Sequence, residues 1–423
     1  MHQFKFVSVL LMAMILVGCG GGGSDVPAKP RFAAQVSFGD SLSDVGSYQV
    51  GTVAALGGGQ FTINAASAVK ATTPTNWTEF TALSLNLGMP CAAETGLNGN
   101  AAQGFSVPIV DHPICTGYAQ GGARVTNPVG PGNAALGGAN AILGSLTVPV
   151  VTQINHFLTA HGGSFTGDEI VTVMAGANDV LMQLAGLSAG ATAAGTAAAN
   201  AAVAAQIQTD INAGTCTPTD PQATNCQPAA IAELGGTAAL QTIGNNAANT
   251  YLTTNAPVAG QAMATAATEL IGYVNTQILG NGAKYVTVIN IPDIAATPDG
   301  QSQSVATQGL IDSLVTAFNS TLKAGIDNMP QANVLYVDAY AASKDEVANP
   351  AKYNLTNVTG TACNLTSPYN PLGSSLACNA GDLNAGVSAT DHYLFADTVH
   401  PTPYGHLLFA TYVLQAMTNK GWY

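Results

Sequence analysis

Basic charge is scarce in this chain. Ten Lys and Arg residues face 23 Asp and Glu, the formal net charge is −13, and the only arginines are Arg31 and Arg124. That leaves no basic stripe for nucleic acid, and an anionic membrane surface would repel the chain. The expected partner is uncharged or apolar. Long apolar runs are scarce too. The one at the N-terminus, Phe6 to Val17, is too short to span a bilayer, and no later segment is a convincing span. The cysteines include no Cys-x-x-Cys and have no nearby set of histidines, which argues against metal. No metal and no organic cofactor is implied.

What is present starts with a targeting pattern. Lys5 precedes the apolar run, as in a secretory signal. The run ends in Leu16-Val17-Gly18-Cys19, which resembles the lipobox of bacterial lipoproteins, where the signal is cut before a cysteine that is then lipidated. "GGGGSDVPAKP" after it has the composition of a flexible tether. The expected layout is a signal peptide over 1–18, a lipidated Cys19 with its linker over 19–32, and a folded domain over 33–423. Gly20, in place of Asp, resembles an outer-membrane address, so the domain is expected to be a monomer anchored there by lipid, on the periplasmic or the cell-surface face. Six further cysteines fall into sequence-local pairs: Cys91/Cys115, Cys216/Cys226 and Cys363/Cys378. Six cysteines allow fifteen connectivities, and pairing between neighbours is the expectation in an exported chain.

Short apolar runs bounded by turn residues predict buried parallel strands at Ala34–Phe38, Ile170–Met174, Tyr285–Ile291 and Val334–Val337. Helical stripes lie between them: Val151, Ile154 and Leu158, then Ile311, Leu314, Phe318 and Leu322. Asn76 suits the N-cap of a helix through Leu85, and a last helix is expected from about Pro403 to Met417. Strands alternating with helices predict an α/β fold with helices on both faces of a parallel sheet, whose ligands sit beyond the carboxyl ends of the strands. The stretch near 181–262 differs. It is rich in Ala, Gly, Thr and Asn, and reads as a helical insertion that starts at the catalytic face; it would form a lid or a wall for an acyl chain, or else a helical decoration packed elsewhere.

Four motifs follow in order, at strand ends or in loops: "FGDSLSDVG" (38–46), "YAQGGAR" (118–124), "AGANDV" (175–180) and "DTVHPT" (397–402). Together they resemble the GDSL or SGNH hydrolase superfamily of serine esterases, lipases and acyltransferases. "NGAKYVTVINIPDI" (281–294) and "ANPAKYNLTNVTGTAC" (348–363) are similar to its secreted lipase, esterase and acyltransferase branch. The resemblance implies a three-layer α/β/α fold with a parallel flavodoxin-like sheet. It also implies an oxyanion hole from the backbone N–H groups of Ser41 and Gly122 and the side chain of Asn178.

The chemistry of the residues runs parallel to the resemblance. A serine hydroxyl needs a base to become a nucleophile. Ser41 follows an apolar strand, His400 is the candidate base, and Asp397 stands three residues before it, a spacing that lets a carboxylate orient the imidazole. Asp391-His392 is a poorer pair, His406 falls in the last helix, and His112, His156 and His161 have no matching motif. Asp44 and Ser43 read as polar groups that stabilise the loop. "GLSAG" (186–190) fits G-x-S-x-G, but it lacks the strand before it that a nucleophile elbow requires, so Ser188 is not the expected nucleophile. The expected function is hydrolysis of lipid, aryl or polymer esters through an acyl-enzyme. The alternatives are an acyltransferase with the same site, or a non-catalytic surface lipoprotein on a degenerate hydrolase fold.

Overall fold

The computed structural model describes residues 29–66, 69, 72–217, 226–329 and 333–423; residues 1–18 and Cys19 lie outside them. Strands β1 (Ala34–Gly39), β2 (Glu169–Met174), β3 (Tyr285–Ile289) and β4 (Val334–Val337) form one parallel sheet in that order. A further segment joins β1 on its outer edge through a single parallel bridge, Ser37 to Gly117. There the N–H of Ser37 donates to Thr116 O and the N–H of Tyr118 donates to Ser37 O. Counted along the chain, the order is 2-1-3-4-5, the flavodoxin-like arrangement, with its second position reduced to one bridge. The disulfide Cys91–Cys115 ties that segment down.

The strands are buried on both sides, so their alternate residues feed two cores. Val171 and Val173 of β2 face the larger core, with Phe38, Val286 and Val288. That core is covered by α2 (Val150–Ala160), α4 (Gly236–Tyr273) and α5 (Val305–Asp327). Ile170 and Met174 face the smaller core, with Ile289 and Val337. Helices α1 (Trp77–Ser84) and α6 (Pro403–Asn419) close it through Trp77, Ala410, Val413 and Met417. Asn76 caps α1 and Glu79 completes a capping box. The stripe Ile311, Leu314, Phe318 and Leu322 is buried, as its spacing predicts.

Two expectations need correction. On α2 the buried residues are Val150, Gln153, Ile154 and Phe157, while Val151 and Leu158 are only half-buried. A polar residue takes the inward position because Gln153 serves the end of β1. Strand β3 ends at Ile289, two residues early, where the Asn290 side chain turns to the Tyr336 hydroxyl and Asp338.

The alanine-rich segment is a pair of long packed helices, α3 (Ala177–Ala213) and α4. Neither helix observes the limits 181 and 262: α3 begins inside the third motif, and α4 runs on to Tyr273. Where they cross, backbone meets backbone: a Cβ on Gly195 would stand 2.9 Å from Gly244 O. Disulfides join Cys91–Cys115, Cys216–Cys226 and Cys363–Cys378. Among the described residues no helix is long and apolar enough to cross a membrane.

Candidate active site

The site begins where β1 stops. Gly39 lies so close to the end of β2 that a Cβ there would fall 2.2 Å from Met174 O. From α2, the Gln153 amide grips the Gly39 peptide on both sides: Gly39 N–H donates to Oε1 at 2.8 Å, and Nε2 donates to Gly39 O at 2.8 Å. The next turn is held by Asp40, whose carboxylate accepts from Leu42 N–H and whose carbonyl accepts from Ser43 N–H. Ser41, 9% exposed, projects from this turn into a cavity of about 290 Å³. Ser43 and Asp44 brace the loop, as read from the sequence. Trp77 Nε1 donates to Ser43 Oγ, and the buried Asp44 carboxylate accepts from the N–H groups of Gly46, Ser47 and Gly121.

His400 Nε2 lies 2.9 Å from Ser41 Oγ, across 359 residues of sequence. Its Nδ1 lies 2.9 Å from Asp397 Oδ2 and 3.0 Å from Oδ1. Asp397 is fixed in turn by three backbone donors: Ser375 N–H to Oδ2, and Val399 and His400 N–H to Oδ1. Burial works against the charge on Asp397, yet His400 and these donors hold its carboxyl well below the usual carboxylate range. Burial also works against a charged His400. The Asp397 charge and hydrogen bond, with a contribution from Asp40, outweigh it and raise the imidazole above its ordinary value. The Phe61 ring, 4.9 Å from the imidazole centroid to centroid, packs against the base.

The second motif contributes through its second glycine. The Gly121 N–H is spent on Asp44, and the Gly121 carbonyl accepts from the Tyr48 hydroxyl at 2.7 Å. The Gly122 N–H has no acceptor among the described residues. A side chain at Gly122 is excluded, because φ is +78° and a Cβ would fall 2.2 Å from Pro131 O. Asn178, in the first turn of α3, is buried; one side-chain N–H donates to Ala123 O at 2.8 Å, leaving the second for another acceptor. Ser41, Gly122, Asn178 and His400 all line the one cavity. Its remaining wall is mostly apolar, with Leu42, Leu181, Leu394 and Phe409 among its residues.

Several residues that build this site were not singled out from the sequence. Asp179 accepts from Arg124 Nε at 2.8 Å and from Val125 N–H at 3.0 Å. It thereby ties the second motif to the third. The available signal was Arg124 itself, one of two arginines in the chain and placed inside a motif: a buried cation needs a buried anion. Asp40 is buried and its carboxyl is pushed up to about 7 by that burial. Gln153 gave no signal at all.

The competing histidines are occupied elsewhere. His392 Nδ1 bonds Asn354 O, His112 bonds Thr95, His156 pairs with Glu94, and His161 bonds the Phe157 carbonyl. His406 lies in α6, as expected, and burial takes its imidazole down to about 3. Ser188 lies inside α3, with no strand before it. Among the described residues no group of three His, Cys, Asp or Glu is placed to hold a metal ion.

A family model described as GDSL-like lipase/acylhydrolase matches residues 182–413, slightly more than half of the chain. The matched stretch holds Asp397 and His400 but not Ser41, Gly122 or Asn178. Individual relatives match shorter stretches. A GDSL esterase/lipase of Arabidopsis thaliana is 32% identical over 129 residues, which is 29% of this chain and 34% of that protein. Esterase EstA of Pseudomonas aeruginosa is 28% identical over 147 residues, 32% of this chain and 20% of the relative. Lipase 1 of Photorhabdus luminescens is 31% identical over 88 residues, 20% of this chain and 12% of the relative. The chain thus spans about a third or less of the length of these proteins.

Proposed function

The chain belongs to the GDSL-like lipase/acylhydrolase family, and on that premise we propose that it is a carboxylic ester hydrolase working through an acyl-enzyme on Ser41. The observation that carries the proposal is the unbroken hydrogen-bond path from Ser41 Oγ through His400 to Asp397, opening on a mostly apolar cavity. In this reading Ser41 Oγ attacks the ester carbonyl while His400 Nε2 takes its proton. Asp397 holds the Nδ1–H tautomer and stabilises the imidazolium. Negative charge developing on the carbonyl oxygen is met by the N–H groups of Ser41 and Gly122 and by the free N–H of Asn178. The tetrahedral adduct collapses as His400 returns the proton to the leaving alcohol. Water then enters, gives a proton to His400, and releases the acid and Ser41. The wall composition and the net charge favour neutral, apolar esters over anionic ones. Export and tethering to the bacterial outer membrane by a lipidated Cys19 belong to the same proposal, and rest on Leu16-Val17-Gly18-Cys19 and the tether that follows. Hydrolysis of a short nitrophenyl ester by the wild type, lost in Ser41→Ala, tests the catalytic reading. A Ser41→Ala protein with unchanged turnover contradicts it.

A further inference from the structure

Beside the catalytic cavity lies a larger hollow, about 820 Å³, between the helix pair α3/α4 and the first turns of α5. This volume falls in the range of sites that enclose small organic ligands. Its floor is apolar and, where the helices cross, glycine-thin: Leu184, Leu187, Ala191 and Gly195 come from α3, and Gly244 and Leu252 from α4. Leu310 and Ile311 of α5 form the opposite wall. Polar side chains line it too, Ser188, Thr192 and Gln303 among them, and all three are exposed. Between Leu181 and Ala199 the α3 residues that line the hollow cover about 27 Å at the helical rise per residue. That is far longer than the scissile group needs. Leu181, one turn beyond Asn178, lines this hollow and the catalytic cavity at once.

Resting on the ester hydrolase reading, we infer that this hollow is a second subsite, which receives the distal part of a long alkyl chain of the ester. The occupant follows from the continuity at Leu181 and from the chemistry of the walls. The hollow starts at Leu181, one turn along α3 from Asn178, and Leu181 lines the catalytic cavity together with Ser41. The two cavities share Leu181 in their walls, and the floor offers methyl and methylene surface; Asp299, the one charged side chain among the lining residues, is exposed. Glycine matters here because Gly195 and Gly244, where the two backbones meet, put no side chain into the hollow that they line. A chain laid along the floor exchanges water for apolar contact at each methylene, worth about fourfold in affinity per buried group. Beyond Leu181, the α3/α4 pair then sets chain length without touching the reacting atoms.

Thr192, exposed on the hollow face of α3, is the position to block. Thr192→Trp should lower the ratio of kcat/KM for dodecanoyl over butanoyl nitrophenyl esters, or for the dodecyl over the butyl alcohol series, by about tenfold or more. An unchanged ratio in both series overturns the inference. A direct binding measurement separates this result from the catalytic reading. In Ser41→Ala protein, a neutral dodecanoyl naphthalene dye should bind with a blue-shifted emission, its propanoyl counterpart should not, and Thr192→Trp added to the same protein should abolish the signal. Circular dichroism confirms that each variant is folded. No difference between the two dyes, or binding that survives the tryptophan, rejects the subsite even if ester hydrolysis is intact. Absence of hydrolysis of every ester by the wild type, with the dye still bound, would reject the catalytic reading and leave the subsite.

Discussion

Replacing Asp397 by Asn removes one charge and changes almost no volume, so its consequences follow from hydrogen bonding and charge, not from packing. Oδ1 accepts from the Val399 and His400 N–H groups, and an amide oxygen there keeps both bonds. The amide NH₂ must then take the place of Oδ2, facing the Ser375 N–H and His400 Nδ1. Facing a donor, Nδ1 gives up its proton, and the proton moves to Nε2, where it points at Ser41 Oγ and can accept nothing. A base in the wrong tautomer lowers kcat on the order of 10⁴-fold, roughly 5 kcal/mol of barrier. The Ser375 N–H, left without an acceptor, costs about 1–3 kcal/mol of stability, which should appear as a modest fall in melting temperature. The residual activity should also carry a pH signature. Burial works against a charged His400, and the imidazole stands above its ordinary value chiefly because the Asp397 charge and hydrogen bond, helped by Asp40, overcome it. The free base therefore emerges in the wild type only as pH rises through that raised value. Without the charge, burial dominates, and the acid limb of kcat/KM should move to lower pH. The assay is hydrolysis of a short nitrophenyl ester across pH, with circular dichroism as the check on folding. A loss smaller than tenfold, or an acid limb that stays put, would refute this account of Asp397.

Asn178→Ala should lower kcat on the order of 10²–10³-fold with a small change in KM, as expected for one oxyanion donor; a loss confined to KM would place Asn178 outside the transition state. Arg124→Met leaves Asp179 buried without its cation and should destabilise the fold by about 3–5 kcal/mol, read from urea midpoints. A double variant that also carries Asp179→Leu should recover much of that stability if the pair is the cause. Reduction should lower the melting temperature, each short disulfide contributing about 2–4 kcal/mol, with Cys363–Cys378 most visible in activity because its loop carries Ser375 against Asp397. Cys19→Ser should lose incorporation of a clickable fatty acid in cells, and label retained in that variant would sink the anchor.

Much of the framework was legible because it depends on local rules. Three of the four sheet strands are short runs rich in β-branched and apolar residues with turn residues at their ends, as fully buried parallel strands need; β1 alternates Val36 and Phe38 with the buried polar Gln35 and Ser37. The pairing of Asp397 with His400 was legible from a spacing of three residues, since both partners lie on one loop. The motif points to Gly122, and the physical reason is visible only in space: Asp44 occupies the N–H of the neighbouring Gly121 and leaves that of Gly122. What escaped was of two kinds. Gln153 and Asp179 act by gripping backbone or charge more than fifty residues away, and a polar residue on a helix face looks the same whether it caps, clamps or merely meets water. The ends of the alanine-rich insertion escaped as well. Alanine carries no periodic stripe when the partner helix is also alanine and glycine, so composition marked the segment and nothing marked where α3 and α4 begin or end.

The central claim, that one serine among many is the nucleophile, is tested most directly by the site of covalent capture. Incubation with a fluorophosphonate followed by peptide mass spectrometry should find a single modified residue, Ser41. The adduct should persist in Ser188→Ala and vanish in Ser41→Ala. A modified Ser188, or undiminished labelling of the Ser41→Ala protein, would contradict the account.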